Sequence, residues 1–104
     1  IKRPSERDLY QPSLNIRLGT EYIHQLLEKF DDNIILAVAA YNAGPHRVAR
    51  WMPERTQAAD VWVESIPFHE TRNYVKLVTS YMLVYQYLLG LPPNFDKVYK
   101  PIQR

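Results

Sequence analysis

The chain has 104 residues, no Cys, three Gly and eight Pro, and 46% of its residues are hydrophobic against 23% charged. That mixture is too apolar for a disordered polypeptide, too evenly charged for a membrane span and too short for two domains, so it describes one globular domain with a modest core and no disulfide to brace it. Thirteen Lys and Arg against eleven Asp and Glu leave a net charge of +2 with both signs scattered along the chain, which provides no electrostatic footprint for nucleic acid.

Residues 1–12 are polar, with Pro4 and Pro12 and no sustained apolar period, and read as an irregular lead-in. The chain opens on Ile1 without Met and without a basic stretch followed by an apolar run, so its natural start is expected upstream. From Ser13 the pattern changes. Leu14, Leu18, Tyr22, Ile23, Leu26, Leu27 and Phe30 recur at spacings of three and four, which predicts a helix stopping at Asp31-Asp32. Gly19 inside this run weakens the helix by about 1 kcal/mol relative to Ala, and a close helix contact is the expected reason for it.

Asp32 or Asn33 can cap the next helix, in which Ile34 to Tyr41 is apolar on every side and therefore central. Gly44 suits the left-handed position that ends such a helix, and Pro45 suits the first position of another. His46 to Met52 then forms a short helix with Val48, Trp51 and Met52 inward, ended by Pro53. Val61, Trp62, Val63 and Ile66 form a helical turn, since a single strand would have nothing to pair with. The longest periodic run, Glu70 to Leu89, carries Tyr74, Leu77, Val78, Tyr81, Met82, Tyr85 and Leu88 on one stripe and is stopped by Gly90 and Pro92-Pro93. Residues 91–104 read as an extended tail laid across the domain by Phe95, Val98 and Tyr99. The predicted fold is all-α, four to five helices of unequal length in a nested bundle.

Two places hold chemistry-bearing side chains. Glu70 and Tyr74 stand four apart near the start of the long helix and share a face, as a ligand-facing pair or as a first-turn carboxylate beside a packed ring. The run Ala40-Tyr41-Asn42-Ala43-Gly44-Pro45 has ordinary packing and capping roles available to it. Yet Tyr41 and Asn42 both need polar partners if buried, and they end the most apolar helix of the chain. His24, His46 and His69 lack metal-ligand spacing, no Gly-rich phosphate loop is present, and Ser65 lacks the glycines of a nucleophile elbow, so no metal and no cofactor are expected. A helix-turn-helix carrying Arg47, Arg50 and Trp51 is disfavoured by the short second helix and the weak basic excess.

Asn15-Ile16 with Gly19, then Ala40-Tyr41-Asn42-Ala43-Gly44-Pro45, then Ile66-Pro67-Phe68 with Glu70-Thr71-Arg72 and Tyr74-Val75, resemble in order and spacing the soluble lytic transglycosylase family. The resemblance covers about Leu9 to Gly90. It implies the C-terminal portion, residues 13–90, of a lysozyme-like helical domain that cleaves the β-1,4 bond between N-acetylmuramic acid and N-acetylglucosamine in peptidoglycan without water, leaving a 1,6-anhydro-muramoyl end. It also implies peptidoglycan glycan strands as the partner and a periplasmic or outer-membrane-associated location in a Gram-negative bacterium. Carried over by position, Tyr41 matches a tyrosine beside the catalytic acid, Ala40 and Asn42 line the same cleft, Glu70 matches an acidic residue contacting the glycan, and Tyr74 an aromatic near it.

One departure outweighs these matches. The family's general acid is a Glu followed by Ser, upstream of a Gly-Leu-Met-Gln segment, and neither is in this chain. Glu6 is followed by Arg, and Glu64-Ser65 falls after the Ala-Tyr-Asn-Ala-Gly run, where the family has its Ile-Pro approach. The expectation is a segment inactive by itself, completed by the N-terminal part of the same domain, with an exposed apolar patch on Ile34–Tyr41 and Glu70–Leu88 where that part is missing. The rival reading is a non-catalytic peptidoglycan-binding or structural helical module.

Overall fold

The computed structural model describes the backbone of residues 12–103 and the side chains of residues 19–103. Six helices follow one another: α1 (Pro12–Lys29), α2 (Ile34–Ala43), α3 (Pro45–Arg50), α4 (Ala59–Glu64), α5 (His69–Leu88) and α6 (Phe95–Val98). The expected irregular lead-in falls largely on residues 1–11, outside the described residues. Pro12, assigned to it, is instead the first residue of α1, a position where a missing N–H leaves no bond unmade.

Helix α2 is the axis of the fold, and α1, α3 and α5 all pack on it. Ile35 to Ala40 are buried without interruption, as an all-apolar helix requires. Its cap is Asn33 rather than Asp32: the Asn33 backbone is extended and its Oδ1 accepts from the Leu36 N–H at 3.1 Å. Asp31 and Asp32 form the turn before it, with φ of 53° and 60°, a left-handed pair that short polar side chains tolerate. At the other end the Gly44 N–H closes on the Ala40 carbonyl at 2.8 Å. Gly44 has φ 97° and ψ 144°, so its φ is positive as expected while its ψ is extended, a combination essentially confined to glycine. Pro45 then opens α3.

Val48 is fully buried, and Trp51 and Met52 pack half-buried against the core. The segment read as a helical turn is α4, whose Trp62 is buried and donates its indole N–H to the Trp51 carbonyl at 2.9 Å. The Trp51 ring meets Phe68 edge-on at 5.2 Å, joining α3 to the residue that starts α5. Full burial of Val48 and Trp62 contributes roughly 1.5–3 kcal/mol each, and the half-buried Trp51 and Met52 contribute less.

The tail differs from its expected extended form. Asn94 accepts from the Lys97 N–H and sets one helical turn, α6. Val98 and Ile102 are the buried anchors with Tyr99 packed beside them, whereas Phe95 stays exposed. Ile102 forms an isolated antiparallel bridge with Gln57, the N–H of each donating to the other's carbonyl at 3.0 and 2.8 Å. Asn33 turns its Nδ2 to the carbonyls of Lys100 and Pro101, so one buried side chain both starts α2 and holds the tail.

Helix α5 buries Thr71, Val75 and Thr79, with Tyr74 and Val78 packed beside them. The apolar stripe lies mostly outside the core, as expected of the Glu70–Leu88 face: Leu77, Tyr81, Tyr85 and Leu88 are each more than half exposed, whereas the Ile34–Tyr41 face expected to share that patch is buried over Ile35–Ala40. The spacing is right, but a stripe is buried only where another element lies against it, and α5 packs on α2 and α4. Among the described residues, no helix is long and apolar enough to cross a membrane.

Candidate functional site

A groove of about 870 Å³ runs between α1, α2 and α5. Its walls are aliphatic over most of its length: Ile23 and Leu27 from α1, Ile34 and Val38 from α2, Val78 and Met82 from α5. Asp32 and Lys97 line it where α2 begins, and Gly19, Thr20, Tyr41 and Tyr74 line it where α2 ends. The polar groups therefore gather at the two ends of an apolar trough.

Tyr41 occupies the last turns of α2 and is half-buried. Its ring lies 5.6 Å from that of Tyr22 on α1, tilted by 41°, a spacing at which aromatic pairs attract and which fixes the ring's direction. The hydroxyl thereby reaches Gly19, where an added β-carbon would stand 3.4 Å from it. The close approach expected of Gly19 exists, but it is between helix backbone and a tyrosine hydroxyl rather than between two helix backbones.

Asn42, one residue on, accepts at Oδ1 from the Thr71 hydroxyl at 2.7 Å, which ties the end of α2 to the first turn of α5. Ala40 is fully buried, its carbonyl engaged by Gly44, so it supports the site from within the core. Glu70 is exposed in the first turn of α5 and does not line the groove, while Tyr74, one turn later, does. The fold thus brings Tyr41 and Tyr74 to one opening, fastens Asn42 beside it, and leaves Glu70 on the surface next to the threonine that holds Asn42. Thr71 has no role in the sequence reading. The signal for it is its spacing of four and eight residues from Val75 and Thr79, which makes it the first member of the buried face of α5.

Glu64 is the wrong kind of carboxylate for proton donation. It is exposed and paired with Lys76, whose hydrogen bond outweighs the opposing desolvation and, with Coulomb attraction from Lys76 and Arg72 added, holds its pKa below the ordinary value of 4.5. A general acid needs the opposite shift. His69 accepts at Nδ1 from Arg72 at 2.8 Å and meets Asn73 through Nε2 at 3.1 Å, both within α5. Among the described residues, no three His, Asp or Glu side chains come together as metal ligands.

The family model of the transglycosylase SLT domain matches residues 1–62. The chain belongs to the transglycosylase SLT family. A second model, the soluble lytic transglycosylase helical domain, matches residues 65–93, which include α5. The soluble lytic murein transglycosylase of Escherichia coli K12 is 44% identical over 92 residues, 86% of this chain and 14% of that protein. Among solved structures, an inactive Glu-to-Gln mutant of lytic transglycosylase Slt from Pseudomonas aeruginosa matches 95% of this chain and 17% of its own at 46% identity, with a TM-score of 0.78. A 70-kDa soluble lytic transglycosylase in complex with bulgecin A matches 98% of this chain and 17% of its own at 35% identity, with a TM-score of 0.79. This SLT-family chain therefore has the helical fold of its relatives while spanning about a seventh of the length of the murein enzyme it matches.

Proposed function

We propose that this chain forms the C-terminal part of the catalytic domain of a peptidoglycan lytic transglycosylase acting in the periplasm of a Gram-negative bacterium. The reaction is cleavage of the β-1,4 bond between N-acetylmuramic acid and N-acetylglucosamine without water, leaving 1,6-anhydro ends. The observation that carries the reading is that Tyr41 and Tyr74 open into one groove in a chain whose larger part matches the SLT domain. Tyr41 supports the catalytic acid or the sugar's acetamido group, Tyr74 contacts sugar in the groove, Asn42 and Glu70 contact it where the glycan passes outside the groove, and Ala40 backs them from the core.

The proton comes from outside these 104 residues. Breaking a glycosidic bond needs a donor at the leaving oxygen, and a Glu holds a proton near neutral pH when an apolar wall raises its pKa. The aliphatic trough supplies such a wall. It offers few hydrogen-bonding groups to a sugar, so its apolar length suits a helix of the rest of the domain and its Tyr41 end suits the glycan. A single carboxylate suffices where the substrate's acetamido group stabilises the cationic centre, which departs from the paired carboxylates of most glycosidases. The related Slt made inactive by one Glu-to-Gln exchange is consistent with a lone acid.

The test is mass analysis of muropeptides released from sacculi by the chain alone and by the chain joined to its upstream sequence. The expected result is anhydro ends from the joined protein and none from the chain alone. Binding without cleavage by the joined protein would establish a non-catalytic module, and reducing ends would establish hydrolysis.

A further inference from the structure

Two buried threonines on α5 use their hydroxyls differently. Thr79 donates back to the Val75 carbonyl at 2.8 Å, the usual bond of a helical threonine. Thr71, 1% exposed, reaches out of its helix to Asn42 Oδ1 across 29 residues of sequence. It is the third residue of α5, so the carbonyl four residues back belongs to Pro67, before the helix begins. A buried hydroxyl must find an acceptor, and the start of a helix is where a threonine is released from its own backbone to find it elsewhere.

We infer that Thr71 is a positioning residue, which fixes the orientation of the Asn42 amide beside the end of the groove that Tyr41 lines; the inference rests on the reading of Asn42 as a glycan contact. An asparagine amide can sit in two orientations that exchange its acceptor and donor sides. With the Thr71 proton on Oδ1, one orientation is selected. The bond also fixes the distance between the end of α2, which carries Tyr41, and the turn of α5 that precedes Tyr74. The alignment of the two aromatic residues over the groove thus depends on a hydroxyl that touches neither.

The test uses Thr71→Val, which keeps the shape and removes the hydroxyl, and Thr71→Ser, which keeps the hydroxyl and removes the methyl. In amide spectra of the isotope-labelled chain, Thr71→Val is expected to shift and broaden the Asn42 side-chain pair, and Thr71→Ser to preserve it. Affinity for a tetramer of N-acetylglucosamine is expected to fall about tenfold in Thr71→Val and to stay within about twofold of the parent in Thr71→Ser. An unchanged Asn42 pair in Thr71→Val, or equal loss of affinity in both variants, overturns the positioning role and leaves only packing. Failure of the parent chain to bind the tetramer counts against the glycan reading itself, and the Asn42 pair still decides the role of Thr71.

Discussion

Gly19 and the Tyr41 hydroxyl face one another across the α1–α2 contact, with 3.4 Å between that oxygen and the place a β-carbon would take. This is an ordinary van der Waals separation, so Gly19→Ala fits without moving the backbone. The exchange removes the glycine penalty in α1 and is expected to stabilise the fold by about 1 kcal/mol, or roughly 4–8 °C in melting temperature for a domain of this size. The added methyl also closes one approach to the hydroxyl, so turnover of sacculi by the complete enzyme is expected to fall as stability rises. A lower melting temperature would mean that the contact has no slack, and unchanged turnover would remove Tyr41 from the mechanism.

Asn33 carries two jobs that substitution separates. Asn33→Ser keeps an oxygen to cap α2 and gives up the donor to the Lys100 and Pro101 carbonyls, while Asn33→Ala gives up both. A lost cap costs about 1 kcal/mol and each of the part-buried hydrogen bonds to the tail about 0.5–1.5 kcal/mol. Urea unfolding is therefore expected to rank the parent above Ser and Ser above Ala. Hydrogen exchange at the Ile102 amide is expected to speed up in both variants, and equal exchange in all three proteins would detach the tail from this hub.

The Glu64–Lys76 pair gives the stability a dependence on acid. Because Lys76 lowers the folded-state pKa of Glu64, the folded protein takes up the proton less readily than the unfolded chain. The associated stability is present above the ordinary value of 4.5 and is lost as pH falls through the lowered folded value. Both side chains are largely exposed, so the contribution is small and screened by salt. Comparing Lys76→Met with the parent over pH 2–6 at low ionic strength is expected to show a shallower acid-side slope in the variant, with the difference vanishing in concentrated salt. Glu64→Gln is expected to leave sacculus turnover by the complete enzyme untouched, and a large loss would reinstate Glu64 as a catalyst.

The exposed stripe of α5 should make the chain adhesive. Tyr81 is 63% exposed and Leu88 72% exposed, with Leu77 and Tyr85 beside them on the same face. An apolar run of this extent favours association. Sedimentation velocity is expected to reveal concentration-dependent self-association of the chain that Tyr81→Lys with Leu88→Glu suppresses, at little cost in melting temperature because neither side chain is buried. A parent chain that stays monomeric at high concentration would count against the stripe as an unsatisfied face.

Most of the helix architecture was legible because it is written locally. Three- and four-residue spacing gives α1 and α5, an apolar run with a polar cap gives α2, and Gly44-Pro45 gives the turn into α3. The long-range features were not. Asn33 signals a cap through its neighbours, but nothing nearby announces that its amide also reaches Lys100. The tail's anchors were read as Phe95, Val98 and Tyr99, whereas Ile102 replaces Phe95, since which apolar residue of a short segment turns inward is decided by the surface it meets. In the site, Tyr41, Asn42 and Tyr74 could be nominated from motifs. Thr71 stands in one of those motifs with no role attached to it, because its importance comes from the single atom across from it. Periodicity marks the stripe on α5 as apolar, and its exposure matches the patch expected on Glu70–Leu88.

The two tryptophans equip the molecule with its own optical reporters. Trp62 is sealed in the interior with its N–H engaged, so its emission tracks global unfolding, while the half-exposed indole of Trp51 leans on Phe68, at the doorstep of α5. A change in fluorescence from Trp51 that leaves Trp62 silent would register motion at the junction carrying Thr71 and Asn42, without any label being attached.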